Sequence, residues 1–255
     1  MKLRKTKNGR YHLLDTVRGL CIAGMVVYHA LFDCVYVFGL FSVSEAAMQA
    51  VLVVRDIGCI LFVALAGICE HFGKKQTARS LLLLILGILL SVFSHLFMPQ
   101  QPVVFGVLSF MGVAGLFAQL VKKLPIPKNP LPIAAILFIC FLMTFQAAYG
   151  KVGIAPFTIG YFPQSLYANI LTGILGFPPA DFVSSDYFPL IPWLFLYFAG
   201  YYLWTFLQKR EKVRHLFALD CRPLSFIGRY SLWFYLAHQP ILFGILYLIS
   251  LLLRS

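Results

Sequence analysis

Long apolar stretches separated by short polar or basic segments dominate the chain. Seven stretches come close to or exceed the roughly 20 residues that a helix needs to cross the hydrocarbon core of a bilayer. They lie near residues 13–38, 48–72, 80–98, 103–121, 130–149, 187–207 and 231–253. Because a backbone inside lipid must satisfy its own hydrogen bonds, each stretch is predicted to be a helix. The pattern therefore predicts an all-α, polytopic membrane helix bundle of about seven transmembrane helices, in one domain over residues 1–255.

Basic residues concentrate in alternate connections between these stretches. With the N-terminus in the cytoplasm, only three of the 21 Lys and Arg residues, Arg55, Lys151 and Arg254, fall toward the opposite side. Cytoplasmic loops of membrane proteins carry such an excess of positive charge. We therefore predict a cytoplasmic N-terminus and an odd number of crossings.

The segment at 150–186 breaks the regular pattern. Its apolar part, 161–177, is short and flanked by prolines, and a complete crossing there would disturb the charge alternation. We predict an extracytoplasmic loop between spans five and six that holds a short interfacial or re-entrant helix. A plain connector is the alternative.

Composition supports a membrane protein and argues against a nucleic-acid-binding protein and against a cysteine metal site. The chain is 60% hydrophobic and only 12% charged, with a mean hydropathy of +0.85. The net charge of +12 sits in short loops between apolar spans, so we predict contacts with membrane lipids and no nucleic-acid partner. The six cysteines show no CxxC or zinc spacing, and no metal site is predicted.

The first apolar stretch carries four ionisable residues, Asp15, Arg18, His29 and Asp33. At about 100° per residue they fall within about 60° of one another on a helix. Lipid would penalise such a face heavily, so it must point into the protein or a water-filled cavity. The helical rise separates Arg18 from His29 by roughly 16 Å, so the polar stripe runs well into the membrane.

Two pairs of residues are candidates for chemistry or binding. His29 and Asp33, four residues apart, are expected to meet as a base and its orienting carboxylate, or as a structural hydrogen bond. Adjacent residues Arg55 and Asp56 point about 100° apart, so each is predicted to reach another helix rather than its neighbour. For Arg55 the candidate partners are Asp33 and Asp186, whether for substrate binding or as a structural ion pair.

The last apolar stretch holds a second candidate histidine, His238. Ser231, Tyr235 and His238 lie within about 60° of one another on a helix. Pro240 follows closely and can kink the helix. His238 is therefore expected to serve either chemistry or structure.

Four stretches together resemble one family, the bacterial branch of the heparan-α-glucosaminide N-acetyltransferase catalytic domain family, within a transmembrane acyltransferase superfamily. The resemblance covers nearly the whole chain and is most specific in the third and fourth stretches. They read LLDTVRGLCIAGMVVYHALFD at 13–33, VVFGVLSFMGVAGL at 103–116, SDYFPLIPWLFLYFAG at 185–200 and LSFIGRYSLWFYLAHQPIL at 224–242.

The resemblance implies a bundle in a bacterial cytoplasmic membrane that takes acetyl-CoA from the cytoplasm. The acyl group would pass to a hydroxyl or amine of a carbohydrate or lipid-linked sugar on the far side, without a metal. The sequence leaves homo-oligomerisation open. On this hypothesis the catalytic residues are His29, Asp33 and His238, the cofactor-binding residues are Arg18, Arg229, Ser231 and Gln239, and the substrate-binding residues are Arg55, Asp56, Asp186 and Tyr187.

One departure from the family pattern concerns the catalytic histidine. The lysosomal member carries it in the loop after the first span, beyond an asparagine near the end of that span. In this chain His29 falls near the asparagine position, and the loop at 34–47 has no histidine. Either His29 or His238 has taken the role, or the chain does something else. A transporter or flippase using the intramembrane charges is the alternative function, and a partner subunit without chemistry is a third.

Overall fold

The computed structural model describes residues 11–125, 127–210, 217 and 219–254. Apart from one small hairpin, its regular structure is helical, as predicted for a polytopic all-α membrane bundle. The predicted basic residues at 2–10, and those within 211–216, lie outside the described residues. The α-helices are α1 (His12–Phe32), α2 (Glu45–Cys69), α3 (Gln76–Phe97), α4 (Val107–Val121), α5 (Leu131–Thr144), α6 (Ile170–Leu175), α7 (Leu190–Leu207), α8 (Arg222–Arg229) and α9 (Ser231–Arg254).

Six helical segments in the described part of the chain are long and apolar enough to cross a membrane. They are His12–Val37, Glu45–Cys69, Gln76–Phe97, Leu131–Tyr149, Leu190–Leu207 and Ser231–Leu253. The fourth predicted span corresponds to α4, which has 15 residues and is shorter than the roughly 20 that a bilayer requires. The seven crossings and the cytoplasmic N-terminus stay predictions.

The chain divides into two compact units. The terminal unit comprises the described residues up to Leu65 and from Gln208 onward, and it contains α1, most of α2, α8 and α9. The central unit comprises Ala66–Leu207 and contains α3 to α7. A single domain over 1–255 stays a prediction.

In the terminal unit, α8 lies directly against the first helix, and two glycines allow the approach. A Cβ added to Gly19 would lie 1.9 Å from the Leu224 carbonyl oxygen, and one added to Gly228 would lie 1.8 Å from the Asp15 carbonyl oxygen. Small residues let membrane helices approach backbone to backbone. α8 lies between the last two predicted spans, and its contact with α1 was not predicted.

The central unit has an aromatic core and a glycine-lined helix contact. Phe110, Phe141, Tyr197 and Trp204 are fully buried. A Cβ on Gly112 of α4 would lie 2.6 Å from the Leu84 backbone nitrogen of α3. Close packing of small residues therefore holds α3 against α4.

A largely buried ion pair links the residues that directly follow α2 and α4 in the central unit. The Lys122 Nζ donates to Glu70 Oε2 at 2.8 Å, and Gln119 Nε2 donates to the same oxygen at 3.2 Å. The side chains of Lys122 and Glu70 are only 25% and 13% exposed. Glu70 thus takes part in tertiary packing.

Replacing Lys122 with methionine is expected to lower the free energy of unfolding of the detergent-solubilised protein by about 2 kcal/mol, because the Glu70 carboxylate then stays buried without its cation. Thermal melts measure the change. Lys123→Met, at the exposed neighbouring position, is the matched control. Equal melting of the two variants would show that the pair contributes nothing to stability.

The connection between α5 and α7 contains a β-hairpin that was not predicted. Strands β1 (Lys151–Ile154) and β2 (Phe157–Tyr161) form an antiparallel hairpin. The short helix α6 follows, and the Asn169 side chain caps it by accepting from the Leu171 and Thr172 amides. A short helix was predicted in this loop, and the hairpin before it was not.

Candidate functional site

Two imidazole rings meet in the terminal unit, one from the first helix and one from the last. The ring centroids of His29 on α1 and His238 on α9 are 5.0 Å apart. Next to them, Asp33 Oδ2 accepts a hydrogen bond from Gln239 Nε2 at 3.0 Å. These four residues, which we call the histidine cluster, bring together positions more than 200 residues apart in the sequence.

The predicted contact between His29 and Asp33 is wrong. Among the described residues the hydrogen bond to the Asp33 carboxylate comes from Gln239, and the His29 ring lies against His238 instead. Asp33 is only 1% exposed, and the amide of Gln239 reaches it from α9. Asp33 therefore ties the first helix to the last one.

The second histidine is held in one tautomer. His238 Nδ1 lies 2.6 Å from the backbone oxygen of Tyr235. A carbonyl oxygen can only accept a hydrogen bond, so Nδ1 carries the hydrogen and Nε2 holds the lone pair of the neutral ring. The atom of His238 able to take up a proton is therefore Nε2.

The helix carrying Asp33 changes its geometry at this point. Residues Asp33–Val37 form a π-helical segment, in which the Phe38 amide donates to the Asp33 carbonyl at 2.9 Å. Such segments inside helices are frequent at functional sites. The widened turn begins at the carboxylate that binds Gln239.

Arg55 and Asp56 bind each other, contrary to the prediction. Arg55 donates to Asp56 Oδ1 from Nη2 at 2.7 Å and from Nε at 2.9 Å. The prediction considered only the angle between adjacent positions on a helix. The arginine side chain is long enough to fold back to its neighbour in spite of that angle. Arg55 Nη1 also donates to Tyr28 Oη at 3.3 Å on α1. The pair is therefore fixed beside His29, whose ring contacts Tyr28 edge-on.

A second polar group, the arginine cluster, lies near the start of α1. The Asp15 carboxylate is 3.6 Å from Arg229 and 3.9 Å from Arg18. Arg229 also donates to His12 Nδ1 at 3.4 Å, and His12 lies 3.9 Å from Asp220. Asp15 and His12 are buried. Both predicted cofactor-binding arginines therefore converge on one carboxylate.

Hydroxyl groups that sequence reasoning missed support this cluster. Thr16 Oγ1 and Ser225 Oγ are 2.7 Å apart, and Ser225 donates to Asp220 at 2.5 Å. The Cys221 amide donates to Thr16 as well, at 3.2 Å. A lone Ser or Thr carries no sequence signal for such a bond. Ser231, another predicted cofactor residue, is the first residue of α9.

The two clusters occupy opposite parts of the same helix. Fourteen residues separate Asp15 from His29, which corresponds to about 21 Å along the helix axis. The hydrocarbon core of a bilayer is about 30 Å thick. A group bound at the arginine cluster and one bound near Arg55 would therefore be separated by much of that thickness.

The remaining predicted substrate residues, Asp186 and Tyr187, belong to the central unit. Asp186 Oδ2 accepts from the Val107 amide at 3.0 Å and so caps the N-terminus of α4. Tyr187 donates its hydroxyl hydrogen to the Gly173 carbonyl. Both side chains hold local structure, and substrate binding by either stays a prediction.

Comparison with known protein families gives a match over most of the chain. The model of the family described as heparan-alpha-glucosaminide N-acetyltransferase, catalytic, matches residues 10–240. This range contains α1 to α8 and both candidate histidines. No curated protein and no solved structure matches the chain.

Proposed function

Because the chain belongs to the heparan-alpha-glucosaminide N-acetyltransferase catalytic family, a family of membrane acetyltransferases, we propose that it moves an acetyl group from cytoplasmic acetyl-CoA across the membrane. The acceptor is a hydroxyl or amine of a carbohydrate or lipid-linked sugar on the extracytoplasmic side. The membrane is the bacterial cytoplasmic membrane, with the N-terminus inside.

The observation that carries the proposal is the contact between His29 and His238. General bases in enzymes are most often histidines, and ionisable groups inside a membrane bundle usually mark functional sites. The Asp33–Gln239 hydrogen bond joins the same two helices. Gln239 is the residue after His238, and Asp33 lies one helical turn after His29. The hydrogen bond therefore ties the two helices together beside the rings.

His238 is assigned the role of general base. Its Nε2 takes the proton from the acceptor hydroxyl or amine as that group attacks the acyl carbon. A new O–C or N–C bond forms, the C–S bond breaks, and the proton passes to the leaving sulfur. His29 lies against His238 and holds the acceptor group toward Nε2, while Asp33 and Gln239 are positioning residues.

The donor is acetyl-CoA, which supplies the acetyl group as an activated thioester. The arginine cluster suits its phosphates. The side chain of Arg229 is 39% exposed, and a guanidinium offers five N–H donors in a planar fork that matches phosphate oxygens. Arg18 adds a second positive charge, and Ser231 and Gln239 are further donor-binding residues in this proposal.

The acceptor is assigned to the side of the histidine cluster where Arg55 and Asp56 lie. Their side chains are more than a third exposed, and together they offer donors and acceptors to sugar hydroxyls.

The proposal is tested with acetyl-CoA and purified protein. Acetyl-CoA at 100 times its dissociation constant is expected to stabilise the folded protein by about 2.7 kcal/mol. Arg229→Ala is expected to weaken this stabilisation. Lys209→Ala, which removes a positive charge at an exposed position, is the control and should weaken it less. Thermal melts in detergent measure the effect, and transfer of labelled acetyl groups to amino-sugar acceptors measures activity. A protein that acetyl-CoA does not stabilise, but that moves a polar solute into liposomes, would be a transporter instead.

A further inference from the structure

The hairpin between α5 and α6 exposes an unusually apolar face. Strand β2 alternates between exposed and partly buried positions, and its outward residues Phe157, Ile159 and Tyr161 are 74%, 69% and 76% exposed. Cross-strand pairing puts Ile154 opposite Phe157 and Lys151 opposite Tyr161. Paired residues share one face of a hairpin. We call these five residues the outer hairpin face.

The open end of the hairpin and the segment after it are hydrogen-bonded to the end of the fifth span. Tyr167 donates its hydroxyl hydrogen to the Ala147 carbonyl at 2.6 Å, and burial raises the pKa of Tyr167, which keeps that hydrogen in place. The Lys151 amide donates to the Gln146 carbonyl at 3.2 Å, and the Phe162 amide donates to the Gly150 carbonyl at 2.9 Å. The hairpin therefore stays where the span ends.

The same part of the chain has almost no charge. From residue 131 to residue 180, Lys151 is the only Asp, Glu, Lys or Arg. Exposed apolar patches of this kind mark interaction surfaces, because water contact with them is unfavourable. A loop that simply extended into water would be expected to carry charges.

The span that precedes the hairpin also exposes an apolar surface. Ile136, Phe138 and Ile139 are exposed along the helix, which is the surface that a membrane-spanning helix presents to lipid. Tyr149 ends the span and is itself exposed. Tyrosine is enriched where spans leave the hydrocarbon core, and lysine keeps its charge at the headgroups while its stem stays in apolar surroundings.

We propose that the outer hairpin face lies in the membrane interface beside the end of the fifth span. Phe157, Ile159 and Ile154 enter the boundary between headgroups and acyl chains, Tyr161 sits at headgroup level, and Lys151 binds headgroup phosphates. The hairpin is thus a lipid-binding element of the central unit, independent of the acyl-transfer chemistry.

Tryptophan fluorescence in lipid nanodiscs tests this assignment. Ile159→Trp places a reporter on the outer hairpin face, and Lys128→Trp, on the exposed loop before α5, supplies a polar reference. Both are read as differences from the parent protein, which has three tryptophans. Lipids brominated near the headgroup are expected to quench most of the fluorescence added at 159, and aqueous acrylamide should quench it much less than that at 128.

Two results would overturn the assignment. Acrylamide quenching at 159 that equals quenching at 128, without quenching by brominated lipid, would place the face in water. Protection from both quenchers would mean that protein, such as a second copy of the chain, covers it. Tyr161→Trp repeats the measurement at another exposed position, in case the first variant does not fold.

Discussion

Replacing His238 with alanine is expected to lower kcat/KM for acetyl transfer by about 10²–10⁴-fold, the usual contribution of a general base. The Nδ1 hydrogen bond to the Tyr235 carbonyl fixes the lone pair on Nε2, and α9 has no second histidine that could replace it. Initial rates with labelled acetyl-CoA and an amino-sugar acceptor measure the loss. The melting temperature of the variant should stay close to that of the parent protein, so that the loss of rate does not reflect unfolding.

The matched controls separate chemistry from general damage. His95→Ala removes an exposed histidine at the end of α3, in the central unit, and is expected to keep normal activity. His29→Ala should reduce the rate as well, and the double variant should be little worse than His238→Ala, because residues acting as one unit are not additive. A fully active, stably folded His238→Ala protein would remove this residue from the proposal.

Replacing Gly19 with leucine is expected to destabilise the terminal unit by about 3 kcal/mol, at the upper end of what overpacking costs. Even a single Cβ at this position would lie 1.9 Å from a backbone oxygen of α8. A backbone atom cannot rotate away as a side chain can, so α1 and α8 must separate. The separation would also disturb Asp15, Arg18 and Arg229.

Gly24→Leu is the control for this prediction, since it makes the same change on the same helix. A Cβ at Gly24 meets nothing within 4 Å. Thermal melts in detergent should show Gly19→Leu unfolding well below both Gly24→Leu and the parent protein. Similar melting of the two leucine variants would contradict the close approach of α1 and α8.

Hydropathy located most spans to within a few residues. The stretch predicted at 13–38 is the segment His12–Val37, and the one at 130–149 is Leu131–Tyr149. Such segments are predictable because each is a local property: about 20 apolar residues with internal backbone hydrogen bonds. The hairpin was missed because its strands have four and five residues, too few for a clear alternating pattern.

The sequence identified the residues of the candidate site better than the contacts between them. His29, Asp33 and His238 were all singled out as ionisable or polar groups on apolar helices, and they do lie in one cluster. Their partners were not predictable. Asp33 binds Gln239 rather than His29, and Arg55 binds Asp56 rather than a distant carboxylate.

The sequence by itself determined that this is a multi-pass helical membrane protein, which residues are ionisable inside its spans, and, through the family match over 10–240, the class of reaction. Only the tertiary structure decided which of those groups meet. Lipid contact is equally favourable for any apolar face, so it does not select helix partners. Helix partners are selected by close backbone contacts that only glycine permits, such as that at Gly19. They are also selected by single hydrogen bonds between residues far apart in sequence.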